Sequence, residues 1–274
     1  MREYDGRMTG TGHPDALRIA LVQLRPTDGD KARNLAAAGE AVASAARAGA
    51  GLVVLPEYAL AGFPAERMRE LAEPLDGPSL KAFRELAARA GVCLVAGLPR
   101  LDAADQVFDT TVVVAPDGEL MTVYDKTHLF DRERAVFTPG AALQPPFEYA
   151  GLRFGVLCCF DIEFPEPART LALRGAQCLL VPSANMEPWG PSHRAFVRAR
   201  ALENHCFVAY ANAGGEASGY RFEGESRLVD PLGRALCDAG RAETVVWADI
   251  DPSVADEARA VGDYLAQRRP ELYD

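Results

Sequence analysis

The chain has 274 residues, 49% hydrophobic and 25% charged, a balance that suits a globular protein with a sizeable core and argues against a disordered one. Its 39 acidic and 29 basic side chains give a formal charge of −10, which argues against a basic face able to displace counterions from nucleic acid. No apolar run approaches the ~20 residues that span a bilayer, and the six cysteines include no CxxC pair, so we expect a reduced, cytoplasmic protein with no metal site.

The first 16 residues carry charges and glycines where a signal peptide would carry an apolar stretch, and read as a flexible N-terminal extension. From there the chain alternates. A strand at 18–24 leads into an Ala-rich helix at 30–49 that ends at Gly49, then a strand at 51–57, a helix at 78–90 and a strand at 92–98. Strands at 111–116 and 120–126 flank Asp117-Gly118, a tight-turn signal, and form a hairpin. Next come a strand at 153–160, a helix at 165–174, a strand at 178–184, a helix at 191–204 and a strand at 206–212. A second hairpin at 226–236 turns on Asp230-Pro231-Leu232-Gly233, and a strand at 244–250 and a helix at 252–267 close the chain. The strand runs are continuously apolar, as expected when both faces are covered. Alternation of this kind means an α/β protein, the two hairpins mean mixed sheets, and no linker divides residues 17–274.

In an α/β architecture ligands bind beyond the carboxyl ends of strands, so polar residues that end apolar runs are informative. Glu57, Lys126, Cys159 with Asp161, and Asn185 stand at such ends. A carboxylate, an amine and a thiol form a reactive set. A base takes the thiol proton, the thiolate attacks an amide carbon, an ammonium holds the oxyanion, and the protonated base returns its proton to the departing amine. Each residue also has a plainer reading: a solvated loop carboxylate, a surface lysine, and core thiols at Cys158 and Cys159.

Longer motifs narrow the choice. LVVLPEYALAGF (52–63), VYDKTHLFDRERAVFTPG (123–140), FGVLCCFDIEFPE (154–166), RARALENHCFVAYANAGG (198–215), FEGESRLVDPLGRAL (222–236) and the tail YLAQRRPELYD (264–274) resemble the nitrilase, or carbon–nitrogen hydrolase, superfamily over residues 17–272. The resemblance implies a four-layer αββα sandwich with two mixed sheets, and a triad of Glu57 as general base and acid, Lys126 as oxyanion stabiliser and Cys159 as nucleophile. It implies the backbone N–H of Phe160 as a second oxyanion donor and Glu133 as a second glutamate that orients substrate or water. Cys158, whose side chain would point to the opposite face of a strand, is expected to pack in the sheet. Phe160-Asp161 after the nucleophile, in place of the Trp-Glu usual in true nitrilases, favours an amide substrate. PSANMEPWG (182–190) resembles amidases of small carboxylic or amino acids, with Asn185, Met186 and Trp189 on the acyl side.

The implied reaction passes through a cysteine thioester and needs no cofactor. The implied partners are a small amide and further copies of the chain, joined near the Arg-rich helix 193–205; Arg198 and Arg200 there are alternatively solvated, or partners of Asp161 and Glu166. N-carbamoyl hydrolysis and nitrilase activity on the same triad remain open. So does a non-catalytic binding protein on the same scaffold, since fold alone proves no activity. A papain-like Cys–His pair using His128 or His205 lacks its local signature, and His128 is expected to bond structurally beside the site.

Overall fold

Strands that are apolar on every residue must be covered on both faces, and the computed structural model, which describes residues 16–273, shows how. Its strands, in chain order, begin with β1 (Leu17–Gln23), β2 (Leu52–Val54), β3 (Cys93–Leu101), β4 (Val107–Val114) and β5 (Leu120–Asp125). There follow β6 (Phe147–Tyr149), β7 (Leu152–Val156), β8 (Cys178–Ser183), β9 (Phe207–Asn212) and the small hairpin β10 (Gly214–Ala217) and β11 (Tyr220–Glu223). The last are β12 (Arg227–Val229), β13 (Ala235–Asp238) and β14 (Thr244–Ile250). The helices are α1 (Lys31–Arg47), the short α2 (Met68–Leu71), α3 (Pro78–Ala90), α4 (Pro165–Leu173), α5 (Gly190–Asn204) and α6 (Ser253–Val261).

One sheet has the order β14-β1-β2-β3-β4-β5 and the other β13-β12-β9-β8-β7-β6. Both follow one plan. Three parallel strands form the centre, β1-β2-β3 in one and β7-β8-β9 in the other, with antiparallel strands outside them. Each parallel step is bridged by a helix: α1 and α3 in the first half, α4 and α5 in the second.

The residue alternation assigns the layers. Ile19 and Leu21 of β1 meet Phe154 and Val156 of β7 and Leu180 of β8 between the sheets. Ala20 and Val22 point outward to Val42 of α1 and Phe83 of α3. On the other side, Leu179 and Val181 of β8 and Val208 and Tyr210 of β9 point to Leu171 of α4 and Val197 of α5. The four layers are helix, sheet, sheet, helix, as expected.

Several boundaries differ from expectation. The run 111–116 is part of a strand that begins at Val107, so Asp109 lies within it. The strand expected over 153–160 stops at Val156, and that over 51–57 at Val54, because the chain then leaves the sheet to form loops. The last helix ends at Val261, not 267; Gly262 follows, and the Asp263 carboxylate accepts the N–H groups of Leu265 and Ala266 in a turn of its own. The strands β6, β10 and β11 carry too few apolar residues to announce themselves. The N-terminal extension expected over 1–16 lies outside the described residues except for Ala16.

Phe83 is fully buried between α3 and the first sheet. Phe83→Ala is expected to lower unfolding stability by about 3–5 kcal/mol, measured by urea denaturation, through lost transfer energy and the cavity left behind.

Candidate active site

Three loops leave the two sheets at one end and bring Glu57, Lys126 and Cys159 together. Glu57 stands three residues beyond β2, and its N–H donates to the Ser183 carbonyl at the end of β8, 3.3 Å away. Gly97 of β3 permits this path: a Cβ there would sit 2.8 Å from the Tyr58 nitrogen and 2.9 Å from the Glu57 Cα. Lys126 follows directly on β5; its N–H donates to the Asp109 carbonyl on β4 and its carbonyl accepts the Gly140 N–H, both at 2.8 Å. Cys159 opens a 3-10 turn over Cys159–Glu163 with φ +42, a left-handed conformation that lifts its side chain off the strand line.

Lys126 is the centre of charge. Its Nζ donates to Glu57 Oε1 at 2.8 Å and to both Glu133 oxygens at 2.8 Å, and lies 3.3 Å from Asp109 Oδ2. All four groups are buried. Burial pushes the Lys126 ammonium towards neutrality, but Glu133, Glu57 and Asp109 together hold its pKa well above the ordinary lysine value. Three carboxylates around one ammonium would leave two uncompensated negative charges away from water, a state too costly to persist. Asp109 resolves it. Burial, and then the neighbouring Glu57, raise its carboxyl well above the usual range, against the opposing pull of Lys126. Glu57 Oε2 and Asp109 Oδ1 are buried oxygens with no donor, so a proton on Asp109 aimed at Glu57 satisfies both. Carboxyl oxygens of Glu57 and Asp109 and the Cys158 sulfur lie within 4.8 Å of one another, a spacing that suits a cation, and the Lys126 ammonium already serves those carboxylates.

Cys158 does not simply pack in the sheet. With β7 ended at Val156 it lies in the loop, fully buried, and its sulfur donates to Glu57 Oε1 at 3.3 Å, with Asp109 Oδ2 at 3.7 Å. Strand alternation does not apply to it. Cys159 is 9% exposed and faces the cleft. Burial, then Glu57, raise its thiol well above the ordinary value, while Lys126 and a hydrogen bond from Ser183 (3.2 Å) oppose them.

Asp161 ties these loops to each other. Fully buried, it accepts from Tyr124 Oη (2.6 Å), Thr127 Oγ1 (2.9 Å), the His128 N–H (3.0 Å) and the Cys158 N–H (3.0 Å), and its Oδ1 lies 2.8 Å from His128 Nδ1. His128, stacked on Phe164, is therefore a structural neighbour of the site. The alternative that pairs Arg198 or Arg200 with Asp161 and Glu166 is incorrect. Arg200 is buried and donates to the Ile162 and Glu163 carbonyls, anchoring the far end of the 3-10 turn, while Arg198 is exposed.

A cleft of about 320 Å³ opens on Cys159 and is lined by Phe63, Phe130, Phe160, Asn185, Met186 and Trp189, with Glu57, Glu133, Glu163 and His193 as further polar groups. The three candidates from 182–190 thus face the same space as the thiol. Glu133 is buried, not an exposed charge beside Arg132 and Arg134, and also accepts the Phe130 N–H at 2.7 Å. Sequence reading misses Asp109, Ser183, His193 and Tyr210. Asp109 has a signal, an acid inside the run VFDTTVVV; the other three become neighbours only through strand register and the placement of α5.

A cleft-facing thiol near a buried Glu–Lys pair on an αββα sandwich is an arrangement suited to hydrolysis, and comparison with known proteins gives the family. The Carbon-nitrogen hydrolase pattern matches residues 18–260. A "Hydrolase in pqqF 5'region" of Pseudomonas protegens is 39% identical over 261 residues, covering 94% of this chain and 91% of that protein. An "(R)-stereoselective amidase" of a Pseudomonas species is 38% identical over 255 residues, with 92% of each chain covered. Among solved structures, an amidase from Nesterenkonia sp. AN1, with the acetamide moiety of fluoroacetamide added covalently at its active site cysteine, superposes with a TM-score of 0.88 at 31% identity, covering 97% of this chain and 98% of that one. The chain belongs to the carbon–nitrogen hydrolase family of the nitrilase superfamily. It is an enzyme, a hydrolase of carbon–nitrogen bonds other than peptide bonds.

Because the folded Asp109 keeps its proton above the pH at which an unfolded aspartate loses it, about 4, native stability falls as pH rises through the interval between the two values. An asparagine in its place would carry no such cost while keeping the shape and both hydrogen bonds. For Asp109→Asn the melting temperature relative to the unmodified chain is expected to rise steadily from pH 4 to pH 8; a constant gap would mean that Asp109 is ionised in the fold.

Proposed function

We propose that the chain hydrolyses small carboxamides to the carboxylic acid and ammonia through a thioester on Cys159. The observation that carries this reading is the placement of Cys159 on the wall of a cleft also lined by Glu57, whose carboxylate is paired at 2.8 Å with the buried Lys126 behind it. Glu57 takes the thiol proton as sulfur bonds to the amide carbon. The carbonyl oxygen becomes an oxyanion opposite Lys126 and the N–H of Phe160, which lies in the first turn of the 3-10 helix, where N–H groups lack a partner within the helix. As the C–N bond breaks, Glu57 passes its proton to the leaving nitrogen and ammonia departs. Water then gives a proton to Glu57 and its oxygen to the thioester carbon, and the carboxylic acid leaves as the proton returns to sulfur.

Lys126 has three N–H bonds and three carboxylate neighbours, so it meets the oxyanion by turning a donor away from one of them. Glu133, bound through both oxygens, can release one and keep the other. We assign Glu133 this role, together with holding Lys126 in place.

The cleft also bears on the acyl group. Aromatic rings and Met186 form its apolar wall, and its polar lining includes three carboxylates and no arginine or lysine. A short neutral or amine-bearing acyl group suits this surface, and an acyl group ending in a carboxylate does not. Six free cysteines and the lack, among the described residues, of a helix long and apolar enough to cross a membrane support a reducing, cytoplasmic setting. Self-association is part of the proposal. Leu173, Tyr264, Leu272 and Tyr273 are more than half exposed, around α4 and the C-terminal tail, and would be covered in a homodimer.

Two measurements test the reading. Cys159→Ala is expected to cut amide turnover by about a thousandfold or more, the scale of removing a nucleophile, and near-normal turnover would end the proposal. In a panel scored by ammonia release, amides of short neutral or amino acids are expected to outperform dicarboxylic acid monoamides; the reverse order would show that the acyl assignment is mistaken.

A further inference from the structure

The two-step scheme leaves one arrangement unused. From Cys159, four buried or half-buried side chains run in contact. Ser183 Oγ donates to Cys159 Sγ at 3.2 Å and lies 3.1 Å from Tyr210 Oη. Tyr210 Oη lies 2.9 Å from His193 Nδ1, and His193 Nε2 lies 3.0 Å from Glu163 Oε1. Ser183, Tyr210 and His193 are all buried, whereas the Glu163 side chain is 22% exposed and opens on the cleft.

The fold supplies each member from a different element. Ser183 ends β8, Tyr210 lies on the neighbouring β9, His193 is in the first turn of α5, and Glu163 closes the turn that Cys159 opens. The chain therefore begins and ends within one five-residue segment, looping through the second sheet and its helix layer.

Hydrogen counting shows what such a chain does. Ser183 and Tyr210 each have a single hydroxyl hydrogen. Burial, and then the charge of Cys159, hold the Tyr210 phenol well above its ordinary pKa, so it remains a donor. If Tyr210 donates to His193 Nδ1, the link between Tyr210 and Ser183 lacks a hydrogen, and Ser183 divides its own between phenol and sulfur. If Tyr210 donates to Ser183, that link is filled and the serine hydrogen is left for sulfur alone. Nδ1 of His193 then carries the hydrogen of that link and donates to Tyr210.

We propose that Ser183, Tyr210, His193 and Glu163 form a directional hydrogen-bond chain that turns the Ser183 hydroxyl onto Cys159 and stabilises the thiolate. The proposal rests on the reading of Cys159 as nucleophile. Ser183 touches the reacting sulfur; Tyr210, His193 and Glu163 are positioning residues that act through it. No bond to carbon or sulfur changes in the chain. The thiol proton still goes to Glu57, and each hydroxyl keeps its hydrogen and only redirects it. The chain lets Glu57 and a neutral donor share one sulfur.

The test is the pH dependence of Cys159 alkylation by iodoacetamide, located by tandem mass spectrometry, together with kcat and KM for an amide substrate. Titratable groups facing the sulfur are Glu57, Lys126, Glu133 and Cys158, and those facing the Tyr210–His193 part of the chain are Glu57, Glu163, Arg194, Glu223, Glu225 and Arg227; the variants leave all of these in place. Ser183→Ala is expected to lower kcat about tenfold, the scale of one hydrogen bond to a charged group, and to shift the alkylation midpoint upward, with KM little changed. Tyr210→Phe should shift the midpoint the same way, and the double variant should show no more than the Ser183→Ala effect, because Tyr210 works only through Ser183. Ser183→Thr, which keeps the hydroxyl, should restore most of the midpoint. Additive effects, or unchanged midpoints in variants that melt normally, overturn the chain. If Tyr210→Phe does not fold, His193→Gln takes its place in the same cycle. Failure of the underlying reading looks different: Cys159 of the unmodified chain would then not be alkylated in step with loss of activity, and both proposals would fall.

Discussion

A single buried ammonium organises this protein. Lys126 lies at the mouth between two sheets, and its charge makes it possible for Glu57, Asp109 and Glu133, from three different loops and strands, to approach one point without repelling each other apart. Removing any one partner would leave a charge in a region water does not reach, so the cluster is cooperative in structure as well as in chemistry. The extra acid is accommodated by protonation, which turns a third carboxylate from a burden into a hydrogen-bond donor for Glu57.

Such a cluster needs a rigid mount. The backbone supplies it through close approaches at which side chains would collide: Gly97 beneath Glu57, and Gly140 against Asp125, where a Cβ would lie 2.0 Å from the carbonyl oxygen. Asp161 adds the link between halves. By accepting hydrogen bonds from Tyr124 and Thr127 on one side of the interface and from the Cys158 N–H on the other, it ties the loop that bears Lys126 to the turn that bears Cys159. Cys159 and Lys126 are thus positioned by the same buried carboxylate, and displacement of one loop would be felt at both.

The two halves share a plan of three parallel strands bridged by helices, but contribute differently. The first sheet delivers Glu57, Asp109 and Lys126, all ionisable and all in the charge cluster. The second delivers Cys159, Ser183 and Tyr210, a sulfur with neutral hydroxyl groups. Cys159 meets both sets.

Local sequence determined a great deal here. Continuous apolar runs, helix periodicity and the Asp-Gly and Asp-Pro-Leu-Gly turns specify the alternation of elements, since these depend on neighbours a few residues apart. The motifs around Glu57, Lys126 and Cys159 single out the candidate reactive groups, and the family resemblance adds Glu133 although its neighbours are arginines. What local sequence misplaces are elements and partners set by distant contacts. Continuous apolar character extends a strand through Cys158 when it ends two residues earlier, charge alone points Arg200 at Asp161 or Glu166 when it holds two carbonyls and the Glu203 carboxylate, and a lone acid in a strand such as Asp109 announces nothing about its surroundings. Ser183, Tyr210 and His193 form a connected chain only because β8 pairs with β9 and α5 packs across them. Periodicity along a chain reports which face of an element is covered; which side chains meet across elements is decided by register and packing, and only the tertiary structure contains those.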